Sequence, residues 1–138
     1  MANVKIILIV DTEEITKKNP EKYCVFVDNT RNPAILPPEE YITRIDAGQI
    51  IEWSGVARNP GSCDCVSIDS ISIEKRSGNV DLFGTPVLIG SAGVIQATIL
   101  AHETEGREES YTLRFTVIKN QDGSTESYRI DPKLGVNN

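Results

Sequence analysis

Hydrophobic residues recur with period two along most of the 138-residue chain, and this spacing limits the folds that the chain can adopt. Runs of roughly four to eight residues rich in β-branched and aromatic side chains alternate with clusters of Gly, Pro, Asn and Asp, as in strands joined by turns. In the clearest run, Ser110–Lys119, four apolar side chains share one face: Tyr111, Leu113, Phe115 and Val117. The pattern predicts an all-β protein.

About nine strands are predicted in chain order, near Val4–Val10, Tyr23–Asp28, Tyr41–Asp46, Gln49–Ser54, Cys65–Lys75, Pro86–Gly90, Val94–Ala101, Ser110–Lys119 and Glu126–Val136. Strands with one apolar face bury that face best when two sheets pack together. We therefore expect a two-sheet antiparallel β-sandwich that forms a single domain over residues 1–138. The last three strands are expected to form a meander, because polar, Gly-containing loops flank Ser110–Lys119 on both sides.

Three local irregularities are also predicted. The apolar residues of Cys65–Lys75 change phase, which predicts a β-bulge at Asp69-Ser70. Pro132 cannot donate a hydrogen bond to a neighbouring strand, so it predicts a bend or a sheet edge in the last segment. At most one short helix is expected, from Asp11 to Lys18, because Asp11 and Glu14 have the spacing of a capping box.

Composition and charge exclude several classes of partner. The formal net charge is −6, and no Lys/Arg cluster is present of the kind that binds nucleic-acid phosphates or anionic membranes. The apolar run Ile6–Val10 is too short for a secretory leader or a spanning helix, so we interpret it as the first strand. Three cysteines do not form a disulfide framework, which favours a reducing compartment such as the cytoplasm.

One segment resembles a known family. Ile42–Trp53 is similar to the strand–turn–strand signature of cupredoxin-like sandwiches, in which a small residue and Gly, here Ala47-Gly48, precede an apolar-x-Trp strand. Together with Tyr128–Leu134, this segment also resembles the AidA/PixA family of bacterial inclusion-body proteins. The resemblance implies an immunoglobulin-like or cupredoxin-like sandwich, a cytoplasmic location and no established catalysis.

The chemistry of cupredoxins is absent from the sequence. A blue-copper site uses two His, one Cys and usually an axial Met. This chain has one histidine, His102, and its single methionine is Met1. The residue count therefore excludes blue copper, and no cofactor is predicted.

Cys63-Asp64-Cys65 is the most chemically suggestive motif. Two thiolates in this loop are the start of a site for a soft metal, Cu(I) or Zn(II), or of a redox pair. A tetrahedral zinc site needs further ligands, from Cys24, His102 or a second subunit. The alternative is an inert loop, or a strand in which one or both thiols pack as small hydrophobes while Asp64 points outward.

Other candidate features have simpler structural interpretations. His102 begins the acidic segment Glu103–Glu109, and a histidine beside carboxylates can serve as a general base, a pH sensor or part of a hydrolase or isomerase site. As a solvated hairpin loop, the same segment has no catalytic role. Gly90–Gly93 lacks the spacing of a nucleophile elbow and predicts a turn. Trp53 shares its phase with Ile51, which predicts a core position.

These features together favour a non-enzymatic cytoplasmic protein that binds a partner or assembles with itself. Two-sheet domains with exposed edges often associate, so a homo-oligomer or a protein partner is expected. A metal or redox site at Cys63 and Cys65, and a small hydrolase or isomerase using His102, are the alternatives.

Overall fold

The computed structural model describes residues 3–28, 42–46, 48–73, 87–99 and 108–137. These residues form two short 3-10 helices, Pro20–Tyr23 and Pro60–Ser62, and ten strands. The strands are β1 (Val4–Val10), β2 (Cys24–Asp28), β3 (Ile42–Asp46), β4 (Ile50–Ala57), β5 (Cys65–Ile73), β6 (Val87–Ile89), β7 (Ile95–Thr98), β8 (Glu108–Ile118), β9 (Thr125–Ile130) and β10 (Lys133–Asn137). Within the described ranges, no helix has the length and hydropathy needed to cross a membrane.

The strands form two sheets. The first sheet has the order β2-β1-β4-β7, and the second has the order β3-β10-β8-β5-β6, with β9 also paired to β8. β10 pairs with the start of β8 and β9 pairs with the remainder, so the two share one side of that long strand. They are separated at Pro132, as the sequence predicted, and the ninth predicted strand is therefore two strands. The predicted two-sheet, all-β architecture is confirmed.

Two features of the topology differ from the prediction. β1 pairs with β4, and β3 pairs with β10, in parallel rather than antiparallel register. The expected meander is wrong as well, because β7 pairs with β4 in the first sheet while β8 belongs to the second. A period-two pattern tells which side chains are buried, and a polar loop tells where the chain passes through solvent. Neither tells which strand becomes the neighbour.

The core lies between the two sheets. β1 contributes a buried alternating set, as do β4 and β8: Val4, Ile6, Leu8, Val10, Ile51, Trp53, Tyr111, Leu113, Phe115 and Val117. Trp53 of the first sheet donates its indole N–H to the hydroxyl oxygen of Tyr111 in the second, at 3.1 Å. The two rings also meet edge-on, with centroids 5.8 Å apart. The predicted core position of Trp53 is confirmed, and the pair joins the sheets.

The predicted bulge in β5 is confirmed. The pairing of β5 with β8 shifts register between Ile68 and Ser70, and Ile68 and Ile71 are both buried although their positions differ in parity. The extra residue rotates the strand, so that apolar residues on either side of it face the same core.

The helix predicted from Asp11 to Lys18 is wrong. The N–H groups of Glu14 and Ile15 donate to the carbonyl oxygen of Asp11, and the helical pattern ends there. The Asp11 carboxylate lies 3.7 Å from the Arg58 guanidinium. Thr12 is buried and points toward another loop. The side chains of this segment therefore bond to distant residues, and a single turn forms.

The turn before Trp53 moves the chain between the sheets. β3 ends at Asp46 in the second sheet and β4 begins at Ile50 in the first. Gly48 has φ +87°, a left-handed conformation that favours glycine, and its N–H donates to the carbonyl oxygen of Ile99 at 2.7 Å. Ala47 lies outside the described residues. The predicted strand–turn–strand unit is present, and its two strands belong to different sheets.

Candidate functional site

The Cys63-Asp64-Cys65 motif lies between the 3-10 helix Pro60–Ser62 and β5. Cys63 has φ +57°, a left-handed conformation, so the motif is not a continuous strand. Both thiols are free and exposed, whereas the Asp64 side chain is only 7% exposed. The strand interpretation, with packed thiols and an outward Asp64, is therefore wrong, because the left-handed residue breaks the alternation, while the inert-loop interpretation stays open.

Asp64 is the centre of a polar cluster that joins three loops. Its carboxylate accepts a hydrogen bond from the Thr12 hydroxyl at 2.6 Å and another from the Asn120 backbone N–H at 2.9 Å. The Lys119 ammonium lies 3.8 Å from the same carboxylate and also donates to the Thr12 carbonyl oxygen. The hydrogen bond from Thr12, followed by that from Asn120, holds the pKa of Asp64 below its usual range. The cluster fixes one end of the sandwich.

The Asp64→Asn substitution tests the role of this cluster. A carboxylate whose pKa is lower in the folded state stabilises the fold fully above its unfolded pKa of about 3.9, and this contribution is lost as the pH falls through the lower folded pKa. We therefore expect the variant to have a lower urea midpoint at pH 7 and the difference to shrink below about pH 4. Urea unfolding at several pH values measures this. Glu14→Gln, at an exposed position, serves as the control, and equal midpoints for Asp64→Asn and the native chain at pH 7 would refute the role.

A metal at Cys63 and Cys65 stays a prediction. Among the described residues, no group of three or more His, Cys, Asp or Glu side chains converges as metal ligands do. Cys24 is buried in the core, and burial raises the pKa of its thiol to about 12, which keeps it protonated at neutral pH. His102 and residues 103–107 lie outside the described residues, so the interpretations based on them are not tested.

Gly90–Gly93 forms the predicted turn. The backbone groups of Ser91 and Val94 bond to each other, N–H to carbonyl oxygen, at 3.0 and 3.2 Å. Ala92 and Gly93 between them have φ +55° and +80°, as in a type I′ turn. The turn leads from β6 in the second sheet to β7 in the first.

The outer face of the first sheet carries an apolar patch that the sequence prediction missed. Three of its side chains are well exposed, Ile7 at 37%, Val25 at 38% and Val56 at 46%. Ile9 and Val27, on the same face, are half-buried. Ile7 pairs with Val27, while Ile9 pairs with Val25 on one side and with Val56 on the other. We call these five residues the outer patch.

The outer face of the second sheet is mixed in character, because Val87 and Ile89 of β6 and Ile118 of β8 are exposed there at 43%, 74% and 37%. Its side chains on β5, β8 and β9 are mostly hydroxyl-bearing or cationic: Ser67, Ser70, Ser72, Thr112, Arg114, Thr116, Ser127 and Arg129. An exposed sheet face is normally mostly polar, so the five neighbouring apolar side chains of the outer patch need an explanation. One signal was available in the sequence. The run Ile6–Val10 is apolar at every position, so β1 has two apolar faces rather than one.

Comparison with known proteins gives a likeness of fold. No protein-family model matches the chain, and no curated protein matches it. Among solved structures, the inclusion body protein PixA from Burkholderia cenocepacia J2315 superposes with a TM-score of 0.61. The match covers 97% of this chain and 94% of that one, at 10% sequence identity. The chain has the fold of PixA.

This likeness confirms the predicted resemblance at the level of architecture. At 10% identity, PixA and this chain share a sandwich rather than a set of site residues. The short similarities at Ile42–Trp53 and Tyr128–Leu134 therefore indicated the right scaffold.

Proposed function

We propose that this protein is a non-enzymatic, cytoplasmic β-sandwich protein that assembles with copies of itself through the outer patch. The observation that carries the proposal is the contiguous set of Ile7, Ile9, Val25, Val27 and Val56 on an exposed sheet face. Covering an apolar cluster of this kind with another surface removes it from water and lowers the free energy. PixA is described as an inclusion body protein, which supports self-association, and the three free cysteines support a reducing compartment.

A second copy fits this face in size. The four strands have seven, five, eight and four residues, so with about 4.8 Å between strands and about six residues a strand they form a surface of roughly 19 by 20 Å. Two such surfaces in contact bury on the order of 800 Å², below the lower limit of about 1,000 Å² for specific interfaces. The interface is therefore expected to be weak, and association is expected to depend on protein concentration.

Charge also favours a second copy. Lys5 and Glu52 occupy paired positions of β1 and β4 on the same outer face, so opposite charges lie side by side next to the outer patch. In a contact between two identical faces related by a two-fold axis, Lys5 of one copy can lie near Glu52 of the other. The face has no excess of one charge sign, although the chain as a whole carries −6.

A charge placed in the outer patch tests the proposal. Val56→Lys should lower the weight-average mass in solution at high micromolar concentration, because two lysines would have to be desolvated near each other in the contact. Gln121→Lys, at an exposed position of the turn after β8 and outside the first sheet, is the matched control and should associate as the native chain does. Sedimentation velocity measures both. If the Val56→Lys and native distributions are the same, the outer patch does not mediate assembly.

A further inference from the structure

β9 is an edge strand, and the hairpin before it shows which of its backbone N–H and C=O groups point away from β8. At the end of β8, the Lys119 N–H donates to the Ser124 carbonyl oxygen at 2.8 Å, which makes Lys119 and Ser124 a hydrogen-bonded pair. Such pairs alternate with non-hydrogen-bonded pairs along an antiparallel ladder. With the observed register, the pairs that include Thr125, Ser127 and Arg129 are the non-hydrogen-bonded ones, so the backbone N–H and C=O groups of these three residues point away from β8.

These outward groups are available for pairing. β9 is hydrogen-bonded to β8 alone, and within the part of the chain that the structure describes, no other backbone bond is made from its outward side. Five of its six residues are exposed or half-buried. The segment Lys17–Glu21 lies beside part of this edge, where the Lys17 ammonium is 3.0 Å from the Glu126 carboxylate, and a cleft of about 540 Å³ between this segment and the strand leaves space next to Ser127 and Arg129. An unpaired edge of this kind is a template for another strand.

We propose that β9 pairs in antiparallel register with β9 of a second copy, which joins the second sheets of the two copies into one continuous sheet. The inference rests on the proposed self-assembly and adds a second contact surface to it. With Ser127 at the two-fold axis, the outward residues of both copies meet as hydrogen-bonded pairs, Thr125 with Arg129 and Ser127 with its own equivalent. Glu126 then lies opposite Tyr128.

The strand is complementary to itself in this arrangement. No two like charges lie directly opposite each other, because Arg129 faces Thr125 and Glu126 faces Tyr128. The same six residues supply both sides of the pairing, so every outward donor of one copy finds an acceptor in the other. An extended acidic peptide is the other occupant that this edge suggests, and the size of the assembly distinguishes it from a second copy of β9.

Two different contact surfaces have a consequence for assembly size. The outer patch belongs to the first sheet and the β9 edge to the second. A contact of one surface with its own copy closes a dimer, but a molecule that uses both surfaces can continue to add copies. Assembly is therefore expected to proceed beyond the dimer, as a dense inclusion requires.

The test compares a backbone change with a matched side-chain change. Both Ser127→Pro and Ser127→Ala lose the hydroxyl contact between Ser127 and Thr116. Ser127→Pro also removes the outward backbone N–H group, which Ser127→Ala keeps. By sedimentation velocity, the native chain and Ser127→Ala should form species larger than dimers, and Ser127→Pro should stop at dimers. Val56→Lys should also stop at dimers, and the double variant Val56→Lys/Ser127→Pro should be monomeric.

Failure of this inference can be told from failure of the proposed function. If Ser127→Pro has the native size distribution, the edge pairing is refuted, and the edge is left to other occupants such as an acidic peptide. If Val56→Lys alone has the native distribution, the outer patch is refuted instead. Thr125→Pro, at the first residue of β9 where proline is tolerated, repeats the edge test in case Ser127→Pro unfolds, and thermal unfolding shows which variants are folded.

Discussion

The Trp53→Ala variant is expected to lose about 3–5 kcal/mol of unfolding free energy, the usual result of truncating a buried large aromatic residue. Trp53 is 1% exposed and lies between the sheets, where it contacts the ring of Tyr111. Its removal leaves a cavity that neither sheet can close without moving. It also leaves the Tyr111 hydroxyl without the indole donor at 3.1 Å. Urea unfolding at neutral pH measures the loss.

Tyr111→Phe separates the hydrogen bond from the packing. This variant keeps the ring but removes the buried hydrogen bond from the Trp53 indole N–H to the Tyr111 hydroxyl, which costs about 1–3 kcal/mol. Burial raises the pKa of Tyr111 far above its ordinary value, so the hydroxyl stays protonated and the comparison is independent of pH in the neutral range. A loss below about 1 kcal/mol for Trp53→Ala would contradict the assignment of this pair as the main link between the sheets.

Gly90→Ala is expected to destabilise the fold by about 1–3 kcal/mol or more, as added atoms do in a packed site. A Cβ atom at this position would overlap the Ile68 carbonyl oxygen and lie 3.1 Å from that of Asp69. Both oxygens belong to the backbone, so they cannot rotate away as a side chain can. The Gly90 N–H also donates to the Asp69 carbonyl oxygen at 2.7 Å, at the bulge of β5. Relief of the overlap would therefore separate β6 from β5.

Gly61→Ala is the matched control for this prediction. At Gly61 the nearest atom to an added Cβ is the Asn59 side-chain oxygen at 3.3 Å, which belongs to a side chain and can shift. Thermal or urea unfolding of both variants gives the comparison. Equal losses for the two variants would mean that β6 tolerates separation from the bulge, and that Gly90 is not required for this contact.

The sequence predicted the parts of the fold that depend on local patterns. The phase change around Asp69 located the bulge, and Pro132 located the division between β9 and β10. In both cases a single residue has a direct effect on the hydrogen bonding of its own strand. Strand neighbours were less predictable, since the parallel pairing of β1 with β4 depends on contacts between distant parts of the chain.

In the candidate site, too, the sequence predicted what local patterns determine and missed what distant contacts determine. Two thiols one residue apart indicated a shared strand face, but the left-handed backbone of Cys63 exposes both and turns Asp64 toward Thr12. That conformation belongs to the C-cap of the 3-10 helix Pro60–Ser62, where the Cys63 N–H donates to the Pro60 carbonyl oxygen. The bonds from Thr12 and Asn120 to the Asp64 carboxylate come from residues far along the chain, and no local pattern reports them. The outer patch was missed, although the unbroken apolar run Ile6–Val10 is a local signal of a strand with two apolar faces.

Sedimentation equilibrium of the unmodified chain over a wide concentration range tests self-assembly most directly. The monomer has a mass of 15.2 kDa. Association through the outer patch predicts a weight-average mass that rises with concentration and falls toward the monomer value on dilution. A mass of 15.2 kDa at every concentration would contradict self-assembly.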